Sequence, residues 1–267
     1  MSRALLAALL VACSAKGASF GPTLIGDASP DAPVFATDSG RPRPPPEVYG
    51  QTASALYRID PVAHTNALVG KFQGCTYVND IALDQNGNLY GVTGNALYTI
   101  STQSARCTLI ANGTFPNSLS FVPQGTLDSA NEALVGYVGG DYVRIDTTSG
   151  MVTKVGVLGG GFVSSGDVVS TIGGATYVTV KGNGCADCLV EADPKTGALV
   201  KNWGDVGHTD VFGVAFWGGR VYGFANDGSL FEMTLANGAV SSITLSSPAN
   251  AWAGAGSTTS APLSPPN

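Results

Sequence analysis

Residues 56–60 read Leu-Tyr-Arg-Ile-Asp, and variants of this stretch return four times along the chain. The later copies are Leu-Tyr-Thr-Ile-Ser (97–101), Tyr-Val-Arg-Ile-Asp (142–146), Leu-Val-Glu-Ala-Asp (189–193) and Leu-Phe-Glu-Met-Thr (230–234). Their spacings are 41, 45, 47 and 41 residues. Polar turns such as residues 193–197 (Asp-Pro-Lys-Thr-Gly) follow the copies, and Asp and Gly are residues that favour hairpin turns. The pattern predicts a repeated set of short β-strands.

Each repeat contains four apolar-rich runs separated by turns. In the first complete repeat these runs are strands A (81–84), B (89–93), C (97–101) and D (106–112). The A strands of the next three repeats begin near Ser118, Asp167 and Gly213. Four short strands in a repeat of about 40–45 residues are typical of a β-propeller blade. The sequence therefore predicts an all-β fold, a single β-propeller.

The two ends of the repeat region complement each other. Residues 48–57 align without a gap with residues 89–98, so the region begins with strands B, C and D of a blade that lacks strand A. Residues 251–258 supply one unpaired A-like strand at the other end. Pairing of 48–52 with 251–258 closes the ring and removes two exposed sheet edges. We therefore expect five four-stranded blades.

The succession of an apolar strand, an Asn-Gly turn, a Leu-Tyr-Gly strand and a Leu-Tyr-x-Ile-Asp strand resembles the broad NHL/YVTN-like group of bacterial propeller repeats. The resemblance extends over nearly all of residues 47–259 and implies the propeller fold. It implies no particular activity, because that group includes enzymes, ligand binders and scaffolds.

Composition excludes several other classes of protein. The 267 residues include 36 Gly and 15 Pro but only four Glu and six Lys, so the residues that fill exposed helices are scarce. The composition therefore argues against a helical bundle and a coiled coil. The formal net charge of −6, without a cluster of Lys or Arg, argues against nucleic acid as a partner.

The N-terminus indicates export. Met1-Ser2-Arg3 precedes an apolar run over residues 4–12, which is too short to span a bilayer and ends at Cys13. Residues 10–13 (Leu-Val-Ala-Cys) resemble the lipobox of bacterial lipoproteins, which implies removal of a signal peptide (1–12) and acylation of Cys13. The alternative is an ordinary signal peptide with an incidental Cys. Because residue 14 is Ser and not Asp, the lipoprotein interpretation favours the outer over the inner membrane.

Segments without a regular apolar pattern flank the repeats. Residues 14–46 contain seven Pro and no sustained apolar period, which is typical of a disordered spacer, so 13–46 is interpreted as a lipidated Cys with a tether. Residues 260–267 are interpreted as a disordered tail. The folded propeller is expected to span residues 47–259.

The strand order predicts where a ligand site lies. The D–A and B–C loops share one rim of the propeller, and this D–A rim surrounds one end of the central channel. Small polar residues recur there and form the predicted ligand-binding set: Asn79, Asp80, Asn117, Ser118, Asp167, Asp210 and Asn250. Their oxygens suit Ca²⁺ or a polar ligand. The alternative is that they hydrogen-bond loop backbone and channel water.

Catalytic residues are harder to find. Asp80, Asp167, His208 and Asp210 are the candidates, since an acid/base pair on the D–A rim would have to come from them. None of the four Glu lies at a channel mouth, and there is no second rim His for a metal. The alternative for His208 is an ordinary surface histidine.

Four cysteines remain if Cys13 is acylated. Cys185 and Cys188 flank two residues in an expanded B–C turn, and in an exported protein we predict that they form a disulfide. Cys75 and Cys107 are left to pair, but the strand map puts them toward opposite rims, so a bond between them is not predicted.

These observations favour a membrane-anchored, non-catalytic binding or scaffold protein of the cell envelope, periplasmic or surface-facing, with a protein or carbohydrate ligand on the D–A rim. Rim aromatics suited to stacking on sugars are Tyr77, Phe115, Phe212 and Trp252. No cofactor is expected, apart from possible Ca²⁺. The alternative is a propeller hydrolase or lyase that uses the rim Asp and His residues.

Overall fold

The computed structural model describes residues 44–246, Ala249 and residues 251–265. The predicted signal peptide, Cys13, most of the tether and Asn250 lie outside these residues. The described residues form strands and turns without a helix. The part of the chain described here therefore contains no apolar helix of membrane-spanning length.

The strands are β1 (Val48–Thr52), β2 (Ala55–Asp60), β3 (Thr65–Lys71), β4 (Asp80–Leu83), β5 (Leu89–Thr93), β6 (Ala96–Ile100), β7 (Cys107–Asn112), β8 (Ser120–Val122), β9 (Ala133–Val138), β10 (Asp141–Ile145), β11 (Val152–Val157), β12 (Val163–Ser170), β13 (Thr176–Gly182), β14 (Cys185–Ala192), β15 (Leu199–Asp205), β16 (Val211–Trp217), β17 (Arg220–Ala225), β18 (Leu230–Thr234), β19 (Ala239–Ile243) and β20 (Gly254–Ser257).

These strands form five antiparallel sheets of four, and the fold is a five-bladed β-propeller. Blades 1 to 4 are β4–β7, β8–β11, β12–β15 and β16–β19. Blade 5 has the order β20-β1-β2-β3, so its strand A comes from the C-terminal side of the domain. Each blade is thus a meander from a buried inner strand A to an exposed outer strand D.

The predicted ring closure is confirmed. Val48 pairs with Ser257 and Gln51 pairs with Gly254 in the antiparallel ladder between β1 and β20. Trp252, immediately before β20, is fully buried between blades 4 and 5. The ends of the domain are therefore joined both by backbone hydrogen bonds and by apolar packing.

The hydrophobic core is divided among the blade interfaces. Five clusters of buried residues each combine side chains from two neighbouring blades, for example Val168 of blade 3 with Tyr137 of blade 2. Both faces of each blade are consequently buried. The inner strands approach so closely that a Cβ at Gly213 would overlap the backbone of β20.

The strand boundaries differ from the predicted ones where the ladder is irregular. Strand A of blade 1 begins at Asp80, one residue early, and that of blade 2 only at Ser120. Strand A of blade 3 begins at Val163 and not at Asp167, because Val163 pairs with Lys181 before a bulge shifts the register. Such a bulge leaves no clear mark in the apolar pattern.

Both cysteine pairs form disulfides. The Cys185–Cys188 bond is as predicted. The strand map did not predict a Cys75–Cys107 bond, yet this bond is present, with the two Cα atoms 5.7 Å apart. The reason is the course of the chain after β3, the outer strand of blade 5. This segment reaches the start of β7, where Gln73 pairs with Arg106 and the Cys107 N–H donates to the Gln73 carbonyl at 2.8 Å.

The C-terminal segment crosses the A–B end of the channel. Thr259 accepts a hydrogen bond from the Ile172 N–H at 2.8 Å and bonds the Glu132 carboxylate through its hydroxyl. Ala261 is 2% exposed, and the Pro262 carbonyl accepts from the Gly218 N–H at 2.7 Å. Ala261 and Pro262, which belong to the predicted tail of residues 260–267, therefore pack on turns of the propeller.

Candidate functional site

The opposite, D–A end of the channel opens into a cavity of about 240 Å³, which we call the mouth. Its lining residues come from all five blades: Ala53, Tyr77, Val78, Asn79, Asn117, Gly166, Phe212 and Ala253. Of the predicted ligand-binding set, Asn79 and Asn117 line the mouth. None of these lining side chains carries a charge, so the mouth combines apolar and aromatic surface with two amide groups.

Tyr77 is the most conspicuous residue of the mouth. Its side chain is 79% exposed, and its backbone has φ +54°, in the left-handed region that bulky residues rarely adopt. The backbone conformation of Tyr77 is therefore unfavourable for a tyrosine, and burial of its side chain does little to offset that cost. Such strain is often found at functional sites, where the surrounding structure maintains it.

Asp80 and Asp167 lie one residue further into the channel than Asn79 and Gly166, and neither is exposed. Asp80 accepts hydrogen bonds from the N–H groups of Ile81 at 2.8 Å and Leu119 at 2.6 Å. Asp167 accepts from the N–H groups of Val168 at 2.6 Å and Val214 at 2.7 Å. The two carboxyl groups thus connect the inner strands of blades 1 to 4.

Burial raises the pKa of both carboxyl groups. The pKa of Asp167 is raised to about 7, while a hydrogen bond from Asp80 and backbone N–H donors oppose the effect. The pKa of Asp80 is raised well above its usual value by burial and by the neighbouring Asp167 charge. Two carboxyl groups in such contact share a proton and titrate as a pair.

This carboxyl pair is poorly placed for chemistry on a ligand. A general acid or base has to reach its substrate within hydrogen-bond distance, directly or through one water. Asp80 and Asp167 are fully enclosed, and their oxygens already accept backbone N–H groups. The same bonds occupy the oxygens that would bind Ca²⁺. Within residues 44–265 as far as they are described, no three His, Cys, Asp or Glu side chains form a metal-binding group.

The other catalytic candidates do not join the pair. His208 stacks on Phe231 with ring centroids 4.4 Å apart, and its Nδ1 lies 3.3 Å from the Ser229 hydroxyl. Asp210 is exposed at the start of blade 4. The predicted set of four therefore divides into an enclosed pair, Asp80 and Asp167, and two residues above the B–C turn of blade 4.

The remaining predicted residues have structural roles or lie elsewhere. The Ser118 hydroxyl is buried and accepts a hydrogen bond from the Tyr137 N–H at 2.8 Å, so it does not face a ligand. Phe115 and Trp252 are buried between blades and are not available for stacking. Asn250 lies outside the described residues.

Sequence reasoning missed Asp187, a buried carboxylate between Cys185 and Cys188. These residues lie in strand β14 of blade 3 and not, as predicted, in the B–C turn before it. Asp187 is 5% exposed and accepts a hydrogen bond from the Ser165 hydroxyl. The signal was available in the sequence, because Asp187 lies between two cysteines that were expected to form a disulfide. From the sequence, only the two cysteines of this segment were considered.

A second cavity, of about 510 Å³, lies at the A–B end between blades 4 and 5. Its walls include Trp217, Asp60 and the ion pair between Arg58 and Glu47, whose charged atoms are 3.0 Å apart. It lies where the chain enters the propeller at Pro46, and it draws on two blades only. The mouth, to which all five blades contribute, is the better candidate for a site that the fold assembles.

Comparisons with known proteins do not indicate a function for this chain. No known protein family matches the chain, and no curated protein matches it. Among solved structures, the nidogen/laminin complex is 10% identical with a TM-score of 0.49 over 83% of this chain and 100% of that chain. TolB from Acinetobacter baumannii is 16% identical, with a TM-score of 0.45 over 75% of this chain and 51% of that one. BamB from Moraxella catarrhalis is 11% identical, with a TM-score of 0.37 over 72% and 58%. Likenesses this distant carry no argument about ligand or activity.

Proposed function

We propose that the protein is a lipid-anchored binding protein of the cell envelope that takes a neutral carbohydrate at the mouth. The observation that carries the proposal is the mouth itself, a concave, uncharged site to which all five blades contribute. Ligand sites are commonly concave and mostly apolar, with a few placed polar groups. The mouth has this composition.

The lining chemistry supports a sugar ring as the ligand. The exposed ring of Tyr77 and the ring of Phe212 offer faces for the C–H groups of a pyranose. The Asn79 and Asn117 amides each offer a donor and an acceptor, which match hydroxyl groups that both donate and accept. Because the lining is uncharged, a neutral sugar is favoured over an acidic or amino sugar.

The position of the chain ends supports this use of the mouth. Glu47, where the predicted tether of residues 13–46 joins the propeller, hydrogen-bonds Thr258 through its N–H at 3.2 Å, at the A–B end. The mouth lies at the D–A end. A chain anchored through Cys13 would thus enter the propeller at the end remote from the mouth, which leaves the mouth accessible.

The hydrolase or lyase alternative has less support. It requires Asp80, Asp167, His208 and Asp210 to converge on one pocket, and the enclosed carboxyl pair does not meet the other two. We therefore propose a binding role without a catalytic centre.

The test is a glycan array of neutral oligosaccharides, followed by calorimetry with the best glycan. We expect the Tyr77→Ala variant to weaken binding about tenfold or more, equivalent to about 1.4 kcal/mol. Met151→Ala, which removes an exposed apolar side chain from a C–D turn, is the matched control and is expected to bind as the wild type does. Absence of glycan binding, or equal affinity of Tyr77→Ala and wild type, contradicts the proposal. Turnover of a bound glycan would favour the hydrolase alternative.

A further inference from the structure

Asp187 lies just outside the lining of the mouth, yet its contacts reach two segments of that lining. It belongs to β14, strand C of blade 3, and lies between Cys185 and Cys188. A carboxylate at 5% exposure is rarely retained without partners. Its partners therefore indicate what it does.

The partners come from the D–A segments of two different blades. The Ser165 hydroxyl of blade 3 donates to the Asp187 carboxylate. The backbone N–H groups of Asp210 and Val211, at the start of blade 4, also bond this carboxylate. These bonds oppose the effect of burial, which raises the pKa of Asp187.

Each partner adjoins a residue of the mouth. Ser165 precedes Gly166, and Val211 precedes Phe212; both Gly166 and Phe212 line the cavity. The two segments are also in direct contact, because a Cβ at Gly166 would overlap the Val211 carbonyl oxygen. The contacts of Asp187 therefore reach two adjacent walls of the mouth.

The disulfide limits the movement of Asp187. The preceding B–C turn contains Gly182, Asn183 and Gly184, all with positive φ, and the β13–β14 ladder shifts register there. A turn with two glycines is intrinsically free in the backbone. The Cys185–Cys188 bond links two residues of β14 directly after this turn and anchors both neighbours of the residue pair Ala186-Asp187.

We propose that Asp187, held by the Cys185–Cys188 disulfide, is a positioning residue that fixes the Gly166 and Phe212 walls of the mouth. The proposal concerns the shape of the site and rests on the proposed function only for its effect on a ligand. It assigns a role to the Cys-x-Asp-Cys sequence that the disulfide alone does not explain.

The test is amide hydrogen exchange on the full chain, compared between wild type and Asp187→Asn. The Asn side chain keeps one acceptor but presents an NH₂ group to the remaining donors, so a backbone N–H loses its partner. We expect exchange of the Asp210 and Val211 amides to quicken about tenfold or more, the factor for one hydrogen bond to a charged acceptor. The amides of β4–β7 in blade 1 are expected to exchange as in the wild type.

Two further variants separate the contributions. Cys185→Ser/Cys188→Ser leaves Asp187 intact and is expected to quicken exchange at the same amides. Tyr77→Ala, the matched control within the mouth, is expected to leave these amides unchanged. Unchanged exchange at Asp210 and Val211 in Asp187→Asn overturns the proposal, as does a uniform increase over all blades, which indicates a general loss of stability.

A binding measurement distinguishes this proposal from the proposed function. With the best glycan of the neutral array as probe, we expect Asp187→Asn to weaken binding although it does not line the mouth. If no glycan binds the wild type, the proposed function fails while the exchange experiment still decides the role of Asp187. If the glycan binds both forms equally, the role of Asp187 in the site is refuted.

Discussion

Asp80 and Asp167 show how a few side chains organise the centre of the ring. Each begins or lies within an inner strand, and each accepts N–H groups from its own strand and from a neighbouring blade. The inner strands of a propeller have no ladder partner on the channel side, so their N–H groups need other acceptors. Two carboxyl groups supply these acceptors. Because they share a proton, they place less negative charge at the centre of the ring than two ionised carboxylates would.

The raised pKa values predict how stability depends on pH. The folded protein keeps a proton on the pair that the unfolded chain releases above its ordinary pKa of 3.8. Wherever the folded state binds more protons, the free energy of unfolding falls as pH rises. We therefore expect the contribution of Asp167 to stability to be lost between about pH 4 and its folded pKa of about 7. The raised pKa of Asp80 adds to this fall in stability as the pH rises.

The Asp80→Asn variant tests this expectation. The substitution removes one of the two carboxyl groups whose pKa burial raises, so the fall in melting temperature between pH 4 and pH 7 should become shallower than in the wild type. Exposed Asp205→Asn is the control and should keep the wild-type slope. Parallel melting curves for Asp80→Asn and wild type would show that the pair does not hold this proton.

At the scale of elements, the two disulfides link the strands in different ways. The Cys75–Cys107 disulfide joins the segment after β3 of blade 5 to β7 of blade 1, across 32 residues of sequence. Cys185–Cys188 joins two residues of the single strand β14 in blade 3 and spans three. The two bonds therefore constrain the unfolded chain to very different degrees.

Removing each disulfide should show this difference in stability. From the loop-closure entropy we expect Cys75→Ser/Cys107→Ser to cost about 4 kcal/mol and Cys185→Ser/Cys188→Ser about 2 kcal/mol. Chemical denaturation of the two double variants and the wild type measures both values. A larger loss for the Cys185–Cys188 pair would contradict the entropic argument.

At the scale of the whole molecule, the C-terminal strand β20 closes the ring of blades. Deleting residues 251–267 removes β20 and the fully buried Trp252, and so exposes the edge of β1. We expect a loss of several kcal/mol, a large part of a typical total stability of about 5–15 kcal/mol. Deleting residues 260–267 should cost about 1–2 kcal/mol, because the Gly218–Pro262 bond and the buried Ala261 are lost.

Thermal denaturation of the two truncated proteins checks this order. Deletion of residues 264–267 is the control and should leave the melting temperature nearly unchanged, since Ser264 and Pro265 are exposed. Equal melting temperatures for the deletions from 251 and from 264 would be incompatible with the β1–β20 closure.

Anchoring is also a property of the whole molecule. If Cys13 is acylated, several buried acyl chains at about 0.8 kcal/mol per methylene hold the protein at the membrane. We expect the wild type to partition into the detergent phase and to incorporate a labelled fatty acid, and Cys13→Ala to do neither. Recovery of unlabelled wild type in the aqueous phase would refute the lipoprotein interpretation.

The sequence by itself determined the fold and its closure. Two features were sufficient to predict five blades and the pairing of the chain ends. Residues 56–60 return in four later copies, and residues 48–57 align without a gap with residues 89–98. Strand formation and hairpin turns depend on neighbouring residues, so a single sequence carries their signal. The polar residues that precede the A strands likewise identified Asn79 and Asn117 at the mouth.

Only the tertiary structure decided which side chains meet. Asp80 and Asp167 look like rim ligands in the sequence, yet they lie enclosed and bonded to each other, while His208 and Asp210 remain apart. The Cys75–Cys107 bond and the packing of Ala261 depend on how the segments after β3 and β20 run across neighbouring blades. These contacts join residues that are distant in the sequence, and the local apolar period of a segment carries no signal for which distant side chains it meets.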